Sequence, residues 1–165
     1  MSSYETAGKS DDWQTPAYIF GALGERFDLD VASPPEGPRH VPCDAYFSSN
    51  ALQREWRGFV WMNPPFGHQR QKIEWLTKFF DHGHGIALVP DRTSAPWFRQ
   101  FAPRADLALF LSPKVKFERL DGSIRGSPGT GTVLLAAGPR AAAALARAQS
   151  LGIIASFYSA TSRRA

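Results

Sequence analysis

The feature of this sequence that most constrains its fold is an alternation of short apolar runs with segments whose apolar residues recur at helical spacing. The runs FVWM, GIALVP, DLALFLS and TVLLAA are apolar almost throughout, as expected of strands that are buried on both faces. Between and after them lie residues 69–81, where Ile73, Leu76, Phe79 and Phe80 share one helical face, and the alanine-rich segment PRAAAALARAQS. The alternation predicts an α/β fold in which helices cover both faces of a mainly parallel sheet.

The remaining segments predict two short helices and further strands. Thr15 is predicted as the N-cap and Pro16 as the first residue of a helix over AYIFGAL, which Gly24 ends. The pattern in FDLDVAS predicts a strand at residues 27–31, APWFRQFA a short helix, VKF an extended piece and IIASFYS a final strand. Residues 33–50 are rich in Pro, Gly and Ser and give no assignment.

Size and composition limit the possible classes of protein. A chain of 165 residues predicts one domain, over residues 12–159, with disordered tails at 1–11 and 160–165. With Cys43 as the only cysteine no internal disulfide can form, and the four histidines lack metal-ligand spacing, so we predict no metal site. The polar N-terminus lacks a signal sequence and no apolar run is long enough for a membrane span, so we expect a location in the cytoplasm.

The charge of the chain bears on its partners. The net charge is +4 and the isoelectric point is near 9.5, and arginine contributes most of the positive charge. This balance favours an anionic partner such as nucleic acid, although a solvated basic surface explains the charge equally well.

Polar residues follow three of the predicted strands at the point where each strand ends. Asp30 ends one strand, Asn63 follows the second and Asp91 follows the third. Because ligands of such sheets bind beyond the carboxyl ends of the strands, we expect these residues to meet at one rim.

The stretch VWMNPPFG contains the most informative of these positions. Asn63 offers a side-chain oxygen, and Pro64 offers a backbone carbonyl that its own ring and that of Pro65 hold rigidly. Two such acceptors can bind both hydrogens of one exocyclic amino group, which favours transfer of a methyl group to its nitrogen by alignment. Phe66 offers a face for stacking of a flipped base, a contact of about 1–3 kcal/mol. The alternative interpretation is that NPPFG forms only a tight turn without a binding role.

Five motifs in this order, DDWQTP, FDLDVAS, REWRGFVWMNPPFG, IALVPDRTSAPWF and KVKFERLDG, resemble those of the phage-type DNA N6-adenine methyltransferases over roughly residues 11–137. The resemblance implies a Rossmann-like methyltransferase fold, S-adenosylmethionine as methyl donor, adenine in double-stranded DNA as acceptor, and a phage or prophage role of the restriction-modification kind. Asn63, Pro64, Pro65 and Phe66 match the catalytic Asp/Asn-Pro-Pro-aromatic motif residue by residue.

The donor site is predicted partly from the residues and partly from this resemblance. A helix that begins at Thr15 and Pro16 suits the methionine carboxylate, and the acids of FDLDVAS suit the donor's amino group, Asp30 better than Asp28. Asp44 is a candidate for the ribose or adenine, and Trp13 for packing beside the donor.

The sequence departs from the family pattern after the first strand. ASPPEGP replaces the usual Gly-rich turn, and only about thirty residues separate Asp30 from Asn63. We therefore expect a sheet that is trimmed between the first strand and the catalytic motif.

The DNA-binding surface is predicted from a basic stretch, PKVKFERLDGSIRGSPGTG, and from Arg92 beyond a strand end. The stretch has the character of a phosphate-contacting loop, although an ordinary solvated hairpin is the alternative. The predicted contacts are Arg92, Lys114, Lys116, Arg119 and Arg125.

Several other functions compete with this reading. Pro42 and Cys43 form the pair typical of cytosine C5 methyltransferases, but the Glu-Asn-Val that supplies the acid is missing, so Cys43 is interpreted as structural. The Asn-Pro-Pro-aromatic motif also serves methylation of RNA bases and of glutamine side chains. A non-catalytic or degenerate DNA-binding protein is the alternative of a different class. The oligomeric state, a monomer or a weak dimer, is left open.

Overall fold

A computed structural model of the protein describes residues 14–65, 67–119, 121–124 and 129–157. In these ranges the chain forms seven strands and four α-helices, and none of the described helices is long and apolar enough to cross a membrane. The strands are β1 (Phe27–Asp30), β2 (Cys43–Tyr46), β3 (Val60–Met62), β4 (Gly85–Pro90), β5 (Leu107–Leu111), β6 (Thr132–Ala137) and β7 (Gly152–Ala155). The helices are α1 (Ala17–Leu23), α2 (Gln69–His82), α3 (Pro96–Phe101) and α4 (Pro139–Arg147). The tails predicted at 1–11 and 160–165 lie outside the described residues.

All seven strands belong to one sheet, in the order β2-β1-β3-β4-β6-β5-β7. The pairs from β2 to β4 are parallel, whereas β6 pairs antiparallel with both β4 and β5, and β7 pairs antiparallel with β5. The prediction of a mainly parallel sheet is therefore corrected: the sheet is mixed. The reason is that residues 112–131 join β5 to β6 without a described helix, so the chain returns beside β5 in the opposite direction.

Helices cover both faces of the sheet, as the alternation of apolar runs predicts. On one face α1 and α4 pack over the buried side chains of Phe27, Trp61 and Leu134. On the other face α2 and α3 pack over a cluster that includes Met62 and Val89. Each central strand thus contributes to two cores, which explains why these strands are apolar at successive positions.

Several element boundaries were predicted well and others need correction. Gly24 and Gly83 end α1 and α2 in the left-handed conformation, with φ of 63° and 73°. Thr15 is not the N-cap of α1, because Pro16 occupies that position in extended conformation and makes no side-chain cap bond. VKF, predicted as an extended piece, lies outside the seven strands, and an isolated bridge at Glu118 follows it.

The region that gave no assignment, residues 33–50, contains β2 at the edge of the sheet. Between β1 and β3 the chain forms only this strand and one 3₁₀ turn, Ala51–Gln53. The short interval expected from the sequence is thus occupied by a strand without a following α-helix.

Candidate functional site

The strand order reverses direction at β1, which lies between β2 and β3. From β1 the chain continues to β2 on one side, and it then crosses to β3 on the other side. Asp30 is the last residue of β1 and pairs with Trp61 of β3, so Asn63 follows two residues beyond that pair. The two polar residues therefore lie at the carboxyl edge of the sheet where the order reverses, the place where open α/β sheets bind ligands.

A cavity of about 270 Å³ opens at this edge. Its volume is close to the lower end of small-ligand pockets, which span roughly 300–1,000 Å³. Hydroxyl and amide side chains line it together with aromatic rings and prolines. The lining residues are Gln14, Val31, Ala32, Ser33, Pro34, Pro35, Phe47, Ser48, Ser49, Asn50, Ala51, Asn63, Pro65 and Trp75.

The side-chain amide of Asn63 is oriented by a hydrogen bond. Its Nδ2 donates to Oγ1 of Thr15 at 3.3 Å, and Thr15 is buried. Among the described residues no hydrogen bond occupies Oδ1 of Asn63 or the carbonyl oxygen of Pro64. Pro64 is itself buried and Pro65 lines the cavity. Asn63 thus offers a side-chain oxygen at the cavity, and the carbonyl oxygen of Pro64 is a second acceptor one residue further on, while Phe66 lies outside the described residues.

Asp30 is a buried carboxylate next to the cavity wall. Its Oδ1 accepts a hydrogen bond of 3.1 Å from the backbone N–H of Ala32, which lines the cavity, although Asp30 itself does not. Burial raises the pKa of Asp30 to about 7, and the bond from Ala32 opposes this rise only in part. A cationic group nearby would favour the ionised form, so Asp30 suits an ammonium ligand.

The other residues predicted to hold the donor occupy different places. Oδ2 of Asp28 accepts from the backbone N–H of Phe59 at 2.6 Å. The same carboxylate fills the space beside Gly58, whose φ is 70° and where a Cβ would collide with it. Asp28 therefore shapes the start of β3. Asp44 is exposed and forms an ion pair with Arg26, so it does not line the cavity.

The N-terminal residues are only partly described. The hydroxyl of Thr15 accepts the hydrogen bond from Asn63, and Pro16 is the N-cap residue that precedes α1. Trp13 lies outside the described residues. Of the residues predicted for the donor that the structure describes, Asp30 and Thr15 have contacts at this edge.

The predicted DNA-binding residues follow the carboxyl ends of β4 and β5, which run in the same direction. Arg92 follows β4, and Lys114 follows β5 and donates to the carbonyl of Gly129 at 3.3 Å. Lys116 and Arg119 are exposed on the segment that continues from Lys114. Arg125 lies outside the described residues. The four described cations are therefore carried by segments that leave the same edge of the sheet as Asp30 and Asn63.

Sequence reasoning missed the part of the cavity that follows β2. Ser48, Ser49 and Asn50 follow that strand after Phe47 and line the cavity. The signal for them was the polar run after CDAYF, but β2 escaped notice because it has four residues of which three are exposed. Gln14 and Trp75 were missed as well, because only the tertiary fold brings them to the site.

Comparison with known proteins bears on the family of the chain. No curated protein and no solved structure matches the sequence significantly. A family model described as DNA N-6-adenine-methyltransferase (Dam) matches residues 2–135, which is most of the chain. The matched range contains β1 to β5 and ends within β6. The resemblance seen in the motifs is confirmed, and the chain belongs to the DNA N-6-adenine-methyltransferase (Dam) family.

Proposed function

We propose that this protein transfers a methyl group from S-adenosylmethionine to the exocyclic N6 of adenine in double-stranded DNA. The observation that carries the proposal is the Asn63 amide, held through Nδ2 by Thr15 beside a cavity at the reversal point of the sheet. Membership of the Dam family supports the choice of adenine and of DNA.

Asn63 and Pro64 act on the amino group of the acceptor. Oδ1 of Asn63 and the carbonyl oxygen of Pro64 accept its two N–H bonds, which holds the nitrogen in place and draws electron density onto it. The nitrogen forms the new bond to the methyl carbon as the carbon–sulfur bond breaks, and its surplus proton then leaves to solvent. Pro65 stiffens this segment, and Phe66 is proposed to stack on the flipped base.

The side chains that line the cavity support binding of a ligand with an adenosyl and an amino acid part. The bound donor supplies an electrophilic methyl group on a sulfonium centre. Ser48, Ser49 and Asn50 offer hydroxyl and amide groups for hydrogen bonds, while Phe47 and Trp75 offer aromatic surface. Asp30 gives a negative charge for the ammonium group. The proposed role of Pro16 rests on its place at the N-terminus of α1, and those of Asp28, Asp44 and Trp13 rest on the family resemblance.

Phosphate contacts are proposed for Arg92, Lys114, Lys116, Arg119 and Arg125. Their positions beyond the carboxyl ends of β4 and β5 support the proposal, because DNA that delivers a base to Asn63 must cross the same edge. A net charge of +4 adds a general attraction to nucleic acid.

The proposal is tested by incubating the protein with tritium-labelled donor and, separately, duplex DNA, RNA and protein. We expect label in duplex DNA at N6 of adenine, at sites that sequencing of the modified positions identifies. Label found only in RNA, or only on glutamine in protein, would mean that the acceptor is not DNA. Donor binding without transfer to DNA, RNA or protein would identify a degenerate protein that binds but does not methylate.

A further inference from the structure

Glu118, which lies outside the catalytic motif, joins segments that are far apart in the sequence. Its Oε2 accepts a hydrogen bond from Nε2 of His40 at 2.7 Å and lies 3.3 Å from Nε of Arg39. Its backbone exchanges two hydrogen bonds with Gln14, of 2.8 and 3.0 Å. The Glu118 side chain is about one quarter exposed, so solvent screens these contacts only in part.

The segments that meet at Glu118 are parts of the candidate site. Gln14 lines the cavity, and the next residue, Thr15, holds the amide of Asn63. Arg39 and His40 belong to the connection between β1 and β2, which supplies cavity residues 31–35. Oε1 of Gln14 also accepts from the backbone N–H of Arg39 at 3.3 Å, which links the two segments directly.

Glu118 also belongs to the segment that carries exposed cations. Val115 and Phe117 of this segment are almost fully buried in the core beneath α1 and α4, whereas Lys116 and Arg119 face solvent. The segment is therefore anchored on its inner side and presents charge on its outer side. Gly122, further along, lies against the guanidinium of Arg39, where a Cβ would clash.

We propose that Glu118 is a positioning residue that connects the cation-bearing segment to the catalytic amide. Its carboxylate fixes Arg39 and His40 against Gln14, and Gln14 in turn fixes Thr15, whose hydroxyl orients Asn63. The proposal rests on the proposed function, because it assigns a role in the same site. Its physical content is a fixed orientation of the Asn63 amide, which can be measured without turnover.

The first test observes the Asn63 side-chain amide by two-dimensional NMR, with its signals identified by their loss in Asn63→Asp. Glu118→Gln keeps the backbone pairing with Gln14 but removes the charge. We expect it to shift or broaden the Asn63 signals. Glu55→Gln, which removes an exposed carboxylate paired only with Arg57 among the described residues, should leave them unchanged. His40→Phe is the second variant, which removes the ring N–H donor and keeps the carboxylate of Glu118. Unchanged Asn63 signals in both variants would overturn the proposal whether or not the protein methylates DNA.

The second test separates positioning from folding in the active enzyme. At a temperature well below unfolding, Glu118→Gln should lower kcat about tenfold or more, since small misplacements of reacting groups have large effects on rate. The dissociation constant for DNA should stay within about twofold, because the exposed cations remain. Equal kcat values for Glu118→Gln and wild type would overturn the positioning role of Glu118. If the wild-type protein transfers no methyl group at all, the proposed function is refuted, and the NMR test alone then decides the role of Glu118.

Discussion

The amide of Asn63 and the thiol of Cys43 lie at opposite ends of their strands. Their positions bear on the choice between methyl transfer to an amino nitrogen, which would use Asn63, and transfer to a ring carbon, which would need the Cys43 thiolate. Asn63 follows β3 at the cavity, whereas Cys43 begins β2 and lies away from it. Burial raises the pKa of the Cys43 thiol, and the nearby Asp30 carboxylate adds to the rise. A nucleophilic cysteine needs the opposite shift, so the contrast agrees with the interpretation of Cys43 as structural.

A pair of substitutions tests this contrast. Asn63→Ala should lower methylation of adenine at least about 100-fold, because one of two acceptors of the amino group is lost. Cys43→Ala should retain activity. Transfer of labelled methyl groups to duplex DNA measures both variants. Loss of activity in Cys43→Ala together with retention in Asn63→Ala would contradict the assignment.

Asp30 predicts a defined dependence of stability on pH. Its pKa is about 7 in the folded protein and 3.8 in a free chain, so between these pH values the folded state holds a proton that the unfolded state releases. The free energy of unfolding should therefore fall as pH rises from about 4 to 7 and change little through Asp30 above that. Asp30→Asn removes this cost, and at pH 8 it should unfold with a free energy roughly 2–4 kcal/mol higher than wild type.

Denaturant titrations at pH 4 and pH 8 measure the effect. The advantage of Asp30→Asn should be present at pH 8 and nearly absent at pH 4. An equal difference at both pH values would show that the gain does not come from ionisation of Asp30. The same variant should lose affinity for the methyl donor, so its gain in stability is expected to accompany a loss of function.

At the scale of elements, buried apolar residues alternate with exposed lysines in segment 113–119, so the segment is anchored to the core on one side and presents positive charge on the other. Val115 and Phe117 are buried in the core. Lys114, which precedes them, and Lys116, which lies between them, are exposed to solvent. Pattern reasoning identified the cations but treated the stretch as a loop, because two buried side chains are too few to signal a docked segment.

This arrangement predicts that Lys116 contributes to DNA binding without contributing to the core. Lys116→Ala should weaken binding of all DNA sequences similarly and lower the slope of log affinity against log salt by about 1. The free energy of unfolding should stay within about 0.5 kcal/mol of wild type. Fluorescence anisotropy at several salt concentrations measures the slope. Arg57→Ala, an exposed cation just before β3 at the other edge of the sheet, is the matched control and should leave the slope unchanged.

At the scale of the whole molecule, the cavity depends on segments from residue 14 to residue 75. A ligand that binds only this assembled site must stabilise the entire fold. At a donor concentration about 100 times its dissociation constant, the gain is about 2.7 kcal/mol. For a chain of this size, that corresponds to a rise of roughly 5–10 °C in Tm.

Thermal unfolding with and without S-adenosylmethionine checks this expectation. Asn63→Ala should keep the rise, because its proposed contact is with the acceptor, whereas Asp30→Asn should lose most of it. Absence of any rise in wild type at saturating donor would mean that the site does not bind S-adenosylmethionine.

The sequence by itself determined many of the local elements and indicated the Asn-Pro-Pro-aromatic motif. Continuous apolar runs predicted the central strands, Gly24 and Gly83 predicted the ends of two helices, and NPPF predicts a pair of acceptors, because each depends on residues that are close along the chain. The Dam family match agrees with what the motifs indicated.

Only the tertiary structure decided which partners these elements meet. The antiparallel insertion of β6, the short edge strand β2 and the contact of Thr15 with Asn63 are pairings between distant residues, and local pattern carries no information about them. Asp28 and Asp30 illustrate the point, since they are two residues apart on one strand, yet Asp28 binds the backbone of Phe59 while Asp30 is buried beside the cavity. Their different roles arise because the folded chain, and not the strand, sets the polarity around each carboxylate.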